Sequence, residues 1–350
     1  MIALSKFGIP AVPLDRSLQI IKLIITALQD GQYHSGQALG EALNISRTAI
    51  WKHIQFMTDT LQLPLRSKPG QGYCLTPPIL LLNTTQIKQG LLPQVQNQIF
   101  DIQCFDQIPS TSQYLYQQIH ETDLSNRLCL AEMQTAGIGR RGQSWQSPFG
   151  YNVYYSLLWH FEQSPQVLIG LSIMMAIVIC RVLSQFNLPN GLQLKWPNDI
   201  FFDGKKLAGI LVEMRAQNSG MSHCVMSVGI NGFLPNIVAH PIDQPWTDFY
   251  RMTGQTFDRN RFITDLTNAL VPAIKIYQQQ GLTPFLPEWR IYDCFYQKNI
   301  TLLHQNGQRT SGVCQGITEQ GLLALTCQKT DKTLCFHSGQ VSIEKRSSIR

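Results

Sequence analysis

Gly137-Ile138-Gly139-Arg140-Arg141-Gly142-Gln143-Ser144-Trp145-Gln146-Ser147-Pro148-Phe149-Gly150 decides how the middle of this chain is read. Its glycines at 137, 139 and 142 satisfy the G-x-G-x-x-G spacing of a dinucleotide-binding turn. That turn requires a helix directly after the glycines, whose N-terminus holds the pyrophosphate. Gln-Ser-Trp-Gln-Ser-Pro-Phe-Gly cannot start one, and no acid ends a second strand about 20 residues on. The nucleotide-fold reading fails. What remains is a flexible cationic strip with an aromatic stop, suited to closing backbone amides and guanidinium groups over an anionic ligand.

Around the strip, apolar runs predict strands at 128–133, 153–159, 192–195, 207–214 and 224–230, and helices at 113–120, 168–185 and 262–280. This is an α+β sheet with helices on one side. From Asn299 onward, short alternating stretches (300–304, 310–317, 322–327, 332–336, 341–343) are broken by Asn306-Gly307, Gln320-Gly321 and Ser338-Gly339. Their period of two and their turn chemistry predict a small β-barrel. Residues 80–92, after Pro77-Pro78, predict a linker helix.

The first 76 residues form a separate unit. Ser17 caps a helix with apolar Ile20, Leu23, Ile24, Ala27 and Leu28, and Ser35 caps a second through Leu43. Asn44-Ile45-Ser46 breaks before a third helix from Arg47 to about Thr60. On it Ile50, Ile54, Met57 and Leu61 share one face, and Arg47, Thr48, Trp51, Lys52 and Gln55 another. The pattern resembles a helix-turn-helix, with small Ala38 where the helices cross. Residues 65–75, two short strands about Lys68-Pro69-Gly70, supply a basic wing. Seven Lys/Arg against four Asp/Glu give this unit a net +3. DNA binding fits the spacing and the wing; the alternative is a packing or dimerising unit with a solvated basic face.

Length and composition bound the rest. The 350 residues accommodate two or three domains. A net charge of +6 permits a polyanionic partner without demanding one. The nine cysteines (74, 104, 129, 180, 224, 294, 314, 327, 335) contain no C-x-x-C pair, so they read as reduced thiols of a cytoplasmic protein rather than as metal ligands. Lys22 interrupts the apolar run 18–28, and no cleavage site follows it. The uncharged run 167–180 is too short to cross a bilayer and reads as a buried helix.

Five strings carry candidate chemistry: Ser110-Thr111-Ser112-Gln113, the strip with Gln134 before it, Lys195-Trp196-Pro197-Asn198-Asp199, Lys205-Lys206-Leu207-Ala208-Gly209-Ile210-Leu211, and Gly229-Ile230-Asn231. Cations, hydroxyls and amides without a nucleophile triad suit charge positioning rather than covalent catalysis. Bland readings stand beside each. Ser110-Thr111-Ser112-Gln113 is also a helix cap, Trp145 also a core residue, and Lys206 also a solvated turn lysine beside Asp203-Gly204.

Together and in this order, the strings resemble the biotin–protein ligases. With the helix-turn-helix in front, the chain resembles the bifunctional class in which the ligase is also the biotin-operon repressor. The resemblance runs from about Ser17 to Ile343. It implies a winged helix-turn-helix at 1–78, a linker at 79–97, a ligase domain at 98–292 with the mixed sheet of class II aminoacyl-tRNA synthetases and biotin ligases, and an SH3-like β-barrel at 293–350. It implies that biotin and ATP form biotinyl-5′-AMP and that the biotinyl group passes to a lysine of a biotin carboxyl carrier protein. Arg140 and Lys206 would be catalytic, offsetting the repulsion between carboxylate and phosphate. Ser110, Thr111, Ser112, Gln134, Gly137, Ile138, Gly139, Arg140, Lys206 and Gly209 would hold biotin or its adenylate. Arg141, Trp145, Lys195, Asn198, Asp199 and Asn231 would hold ATP, with Mg2+ carried by the phosphates and no protein metal cage. Ser46, Arg47, Thr48, Trp51, Lys52 and Lys68 would meet biotin operator DNA, with a homodimer formed when biotinyl-5′-AMP is bound.

Three positions depart from the family pattern. Ile138 stands where bacterial bifunctional members usually have arginine, which implies easier release of the adenylate. Ser112 replaces a common asparagine, and Glu344 a frequent arginine, although Lys345 and Arg346 adjoin it. Two competing readings are a lipoate- or octanoate-transferring relative and a biotin-sensing transcription factor without ligase activity.

Overall fold

A computed structural model describes residues 14–119, 126–162, 169–216, 222–235, 242–328 and 330–344, with side chains from Ser17. Lys345 and Arg346, and His120 at the end of one expected helix, lie outside the described residues, as do residues 1–13.

The N-terminal unit comprises α1 (Leu14–Ala27), α2 (Gly36–Leu43), α3 (Arg47–Asp59) and an antiparallel hairpin of β1 (Leu65–Lys68) and β2 (Gly72–Leu75). Ser35 and Ser46 cap α2 and α3 by accepting from Ala38 N at 3.0 Å and Ala49 N at 3.1 Å, satisfying amides that no helical carbonyl can reach. α1 starts before Ser17, immediately after Pro13, whose ring is compatible with a helix start. Its buried stripe is also not the expected one: Leu18, Ile21, Ile24, Ile25 and Leu28 face inward and Leu23 is exposed. Ile24 and Leu28 belong to both stripes, so two sets of apolar residues satisfy helical spacing and only packing selects one. Nor is Ala38 the small residue at the crossing. Ala38 is exposed, while a Cβ on Gly40 would lie 2.7 Å from the Ile45 carbonyl oxygen.

The linker has no regular secondary structure through residues 79–83 and becomes helical only at α4 (Thr84–Gly90) and α5 (Pro93–Gln96). Its backbone is held by the central unit: Glu132 accepts from Leu82 N at 2.6 Å, Arg259 donates to the Leu80 carbonyl at 2.7 Å and Asn260 to the Leu81 carbonyl at 2.9 Å. Glu132 and Arg259 form an almost fully buried ion pair at 2.8 Å. These tertiary bonds compete with helix formation and win.

The central strands are β3 (Asp101–Phe105), β4 (Arg127–Ala131), β5 (Val153–Phe161), β6 (Leu192–Lys195), β7 (Asp199–Phe202), β8 (Lys205–Ala216) and β9 (Ser222–Ile230); the helices are α6 (Thr111–Gln117), α7 (Leu171–Leu183), α8 (Phe249–Thr253), α9 (Arg259–Gln280) and α10 (Leu286–Tyr292). The sheet order is β3-β4-β5-β9-β8-β7-β6, with only β3 and β4 parallel. Helices cover both faces, which corrects the one-sided expectation. Tyr155, Leu157 and Met226 join the core of α7 and α9, whereas Leu158, Cys129 and Val225 pack with Leu115 of α6. A central strand buried on both faces reads as a continuous apolar run, as 153–161 does. α7 buries eleven of its thirteen residues, and among the described residues no helix is long and apolar enough to cross a membrane.

The last strands, β10 (Asn299–His304), β11 (Arg309–Ile317), β12 (Leu323–Cys327), β13 (Thr333–Phe336) and β14 (Val341–Ile343), form an antiparallel sheet ordered β13-β12-β11-β10-β14. A bulge at Cys314/Gly316 bends β11, with Gly316 at φ +92°. Ile300, Leu302, Leu323 and Leu325 belong to the main core, and Trp196 Nε1 donates to the Gly321 carbonyl at 3.0 Å. This sheet is seated against the central unit.

Candidate active site

Four loops and strand ends converge on one cavity of about 510 Å³ on the α6 face of the sheet, within the range that encloses small ligands. Its polar floor begins at the N-terminus of α6. Thr111 donates to Gln134 Oε1 through its backbone N at 2.9 Å and its hydroxyl at 3.2 Å. Thr111 Oγ1 lies 2.8 Å from Ser156 Oγ, and Ser156 donates to Ser227 Oγ at 2.8 Å. Ser110 and Ser112 pair at 3.1 Å, and Ser110 accepts from Gln113 N as the helix cap. All five hydroxyls are buried. A buried hydroxyl is costly unless bonded, so this chain of hydroxyls across α6, β5 and β9 marks a surface shaped for a polar ligand.

The glycine-arginine strip folds back on itself above that floor. Trp145 N donates to the Gly137 carbonyl at 2.8 Å and Gly139 N to the Gln143 carbonyl at 2.7 Å. Gly137 sits where a Cβ would meet Ser147 Oγ and the Trp145 carbonyl, each at 2.6 Å. The Trp145 ring rests on the sheet over Gly209 and Gly229, which are register partners in β8 and β9. A Cβ at Gly229 would lie 2.4 Å from Trp145 Nε1, and one at Gly209 3.2 Å from the ring. Trp145 Nε1 is buried without a hydrogen-bond partner.

Two cations border the cavity, held by consecutive residues. Lys206 Nζ forms an ion pair with Asp199 Oδ1 at 2.9 Å, both side chains largely buried, and lies 5.6 Å from the centroid of Trp145. Arg140 Nη1 donates to Asn198 Oδ1 at 3.0 Å. Burial lowers the Arg140 guanidinium from its ordinary value and the charge of Arg141 adds to this, while Asp199 opposes it; an arginine nevertheless stays protonated. Beneath the floor, burial pushes the Glu213 carboxyl up against the opposing bond from Ser112, and Glu213 Oε2 has no hydrogen-bond partner.

Ser110, Thr111, Ser112, Gln134, Ile138, Gly139, Arg140, Trp145, Asn198, Asp199, Lys206 and Gly209 therefore meet at one cavity. Four residues named with them do not line it. Gly137 is packed behind the strip. Arg141 donates to the carbonyls of Ser338 and Val341 at 2.9 and 3.5 Å. Lys195 lines a second cavity of about 610 Å³ with Lys298 and Arg309, and its ammonium lies 5.0 Å from the Phe201 centroid. Asn231 is buried and donates to the Thr247 carbonyl at 3.0 Å, facing a small recess behind Trp145. The sequence reading missed Tyr154, Ser156 and Ser227. A lone serine inside each of the apolar runs 153–159 and 224–230 was the available signal. Among the described residues no group of three His, Cys, Asp or Glu is placed to hold a metal ion.

On the N-terminal unit, Arg47, Thr48, Lys52 and Lys68 are exposed, and Trp51 is 52% exposed on α3. Ser46 caps that helix. Lys22 of α1 forms an ion pair at 2.7 Å with Asp106, four residues before Ser110.

Comparison with known proteins gives a consistent result. Residues 104–231 match the biotin/lipoate A/B protein ligase family and residues 16–74 an HTH domain. The chain is 38% identical over 302 residues to the bifunctional ligase/repressor BirA of Escherichia coli (strain K12), covering 86% of this chain and 91% of that protein. It is 28% identical over 297 residues to BirA of Bacillus subtilis (strain 168), covering 84% and 89%. The solved biotin protein ligase from Aquifex aeolicus in complex with biotin and ATP shares the fold at a TM-score of 0.59 and 23% identity, covering 71% of this chain and all of that one.

Proposed function

Because this chain belongs to the family of the bifunctional ligase/repressor BirA, we propose that the cavity between Arg140 and Lys206 is where biotin and ATP react. The protein is a BirA-like biotin–protein ligase with a helix-turn-helix repressor unit. One observation carries the site assignment: the guanidinium of Arg140 and the ammonium of Lys206 border a single cavity, anchored on Asn198 and Asp199.

Biotin's fused rings lie over the hydroxyl floor, where Ser110, Thr111, Ser112 and Gln134 meet its ureido group, with the strip from Gly137 to Arg140 closed above. Its carboxylate reaches Lys206 beside Gly209, where the missing side chain leaves room for close approach. A carboxylate oxygen attacks the α-phosphorus of ATP, and the bond to the bridging oxygen breaks so that pyrophosphate leaves. Arg140 and Lys206 offset the repulsion between the two anions and the charge that builds in the transition state. Trp145 packs against adenine, with Asn198 and Asp199 placing the nucleotide. Arg141, Lys195 and Asn231 support from outside the cavity. Mg2+ bound to the phosphates would offset part of their charge, and Asp199 and Asp243, which line the cavity, are the acids that would face it. In the second step the ε-amine of a carrier lysine attacks the acyl carbon, AMP leaves, and the amine gives up its proton. Proximity supplies most of that rate. The carrier is a biotin carboxyl carrier protein.

Ser46, Arg47, Thr48, Trp51, Lys52 and Lys68 form the operator-facing surface. Biotinyl-5′-AMP acts as corepressor by favouring a homodimer whose two recognition helices reach both half-sites. ATP–pyrophosphate exchange tests the enzymatic reading. Exchange with biotin but not lipoate is the expected result, with loss in Lys206→Ala while the protein stays folded. Exchange with lipoate alone identifies a lipoate ligase, and no exchange with either leaves a sensor. Full activity in Lys206→Ala overturns the catalytic assignment.

A further inference from the structure

The adjacent arginines of the strip grip one serine from the far end of the chain. Arg140 Nη2 donates to Ser338 Oγ at 3.0 Å, and Arg141 Nη2 donates to the Ser338 carbonyl at 2.9 Å. Ser338 lies in the turn between β13 and β14, almost two hundred residues away in sequence. Arg141 adopts a left-handed backbone at φ +56°, uncommon for a side chain of its size. The conformation is held by tertiary contacts, since its guanidinium also donates to the Val341 carbonyl at 3.5 Å.

The partners of Arg140 explain what this grip achieves. Asn198 Oδ1 accepts from one guanidinium nitrogen and Ser338 Oγ from the other. Both acceptors are neutral, so they orient the fork without cancelling its charge. A long side chain left free would have to lose its rotamer freedom when an anion binds; here that freedom is already restricted. We propose that Ser338 is a positioning residue of the nucleotide-phosphate subsite, holding Arg140 in place at the edge of the cavity while itself standing outside the lining. This inference rests on the ligase reading above.

The two substrates should respond differently. Lys206, on the biotin carboxylate, is held by Asp199 and has no contact with Ser338. Ser338→Ala is therefore expected to raise KM for ATP in pyrophosphate exchange about tenfold, the effect of one lost bond to a charged group. KM for biotin, and biotin affinity measured by calorimetry without ATP, stay within about twofold. Ser338→Thr, which keeps the hydroxyl, restores the ATP response. Arg141→Ala releases the same turn, so its effect on ATP is not additive with Ser338→Ala. An unchanged KM for ATP in Ser338→Ala, an equal rise for biotin, no rescue by threonine, or additive effects of the two substitutions would each overturn the proposal. Absence of biotin-dependent exchange in the unmodified protein would instead defeat the ligase reading itself.

Discussion

Gly229→Ala isolates the contact between Trp145 and the sheet. The added methyl would lie 2.4 Å from Nε1, 2.5 Å from Cε2 and 3.0 Å from Cζ2 of Trp145, whereas ordinary contact begins near 3.4 Å. The ring must therefore retreat by about 1 Å. It yields more easily than the paired backbone of β8 and β9, because a tilt of roughly 20° about its side-chain torsions is enough, at a cost of roughly 1 kcal/mol. The tilt carries the indole into the cavity of about 510 Å³ that ligands must enter. KM for ATP should rise about tenfold, equivalent to about 1.4 kcal/mol, with little change in unfolding temperature. The assay is a double-mutant cycle with Trp145→Ala in pyrophosphate exchange. Once the ring is gone the methyl has nothing to displace, so Gly229→Ala should have no further effect in that background. Equal effects in both backgrounds, or a fall of many degrees in unfolding temperature, would refute the reasoning, since either means that the sheet and not the ring gives way.

Arg47→Ala combined with Lys52→Ala should weaken operator binding at least tenfold at moderate salt, from lost phosphate contacts, while exchange activity is retained; unchanged affinity in a mobility-shift titration would return α3 to a packing role. Ile138→Arg should lengthen the half-life of the enzyme-bound adenylate, because the side chain lines the cavity and adds the missing cation; an unchanged release rate of labelled intermediate counts against this. Glu213→Gln concerns pH. The folded carboxyl titrates above its ordinary value because of burial, so between the two values the native state holds the extra proton, and stability falls as pH rises. Glutamine does not titrate, so the stability of the variant relative to the unmodified protein should grow from about pH 4.5 upward. A difference in denaturation free energy that stays flat with pH would show that Glu213 is ordinary.

Local chemistry was legible without coordinates. Serines 35 and 46 cap helices through bonds to amides three residues on, and Pro69-Gly70 turns a hairpin whose ends are adjacent in sequence. The residue types of the site could also be named, because offsetting the charge of two anions requires cations and amides whatever the fold. Packing direction was not legible. Both stripes of α1 have helical spacing, and residues 80–83 stay out of a helix where Glu132, Arg259 and Asn260 take their backbone groups.

The sequence by itself determined the longer elements, their order and the chemistry, because capping, turn formation and periodicity act over a few residues; the short β3, β7, α8 and α10 carried too little pattern to be predicted. Only the tertiary structure decided that Gly209 faces Gly229 beneath Trp145, that three hydroxyls from distant segments join into one floor, and that Ser338 reaches Arg140 while Lys195 turns to another cavity. Those juxtapositions depend on strand register and on the seating of one sheet against another. Both are settled by burial summed over the whole core, which no local stretch of residues records.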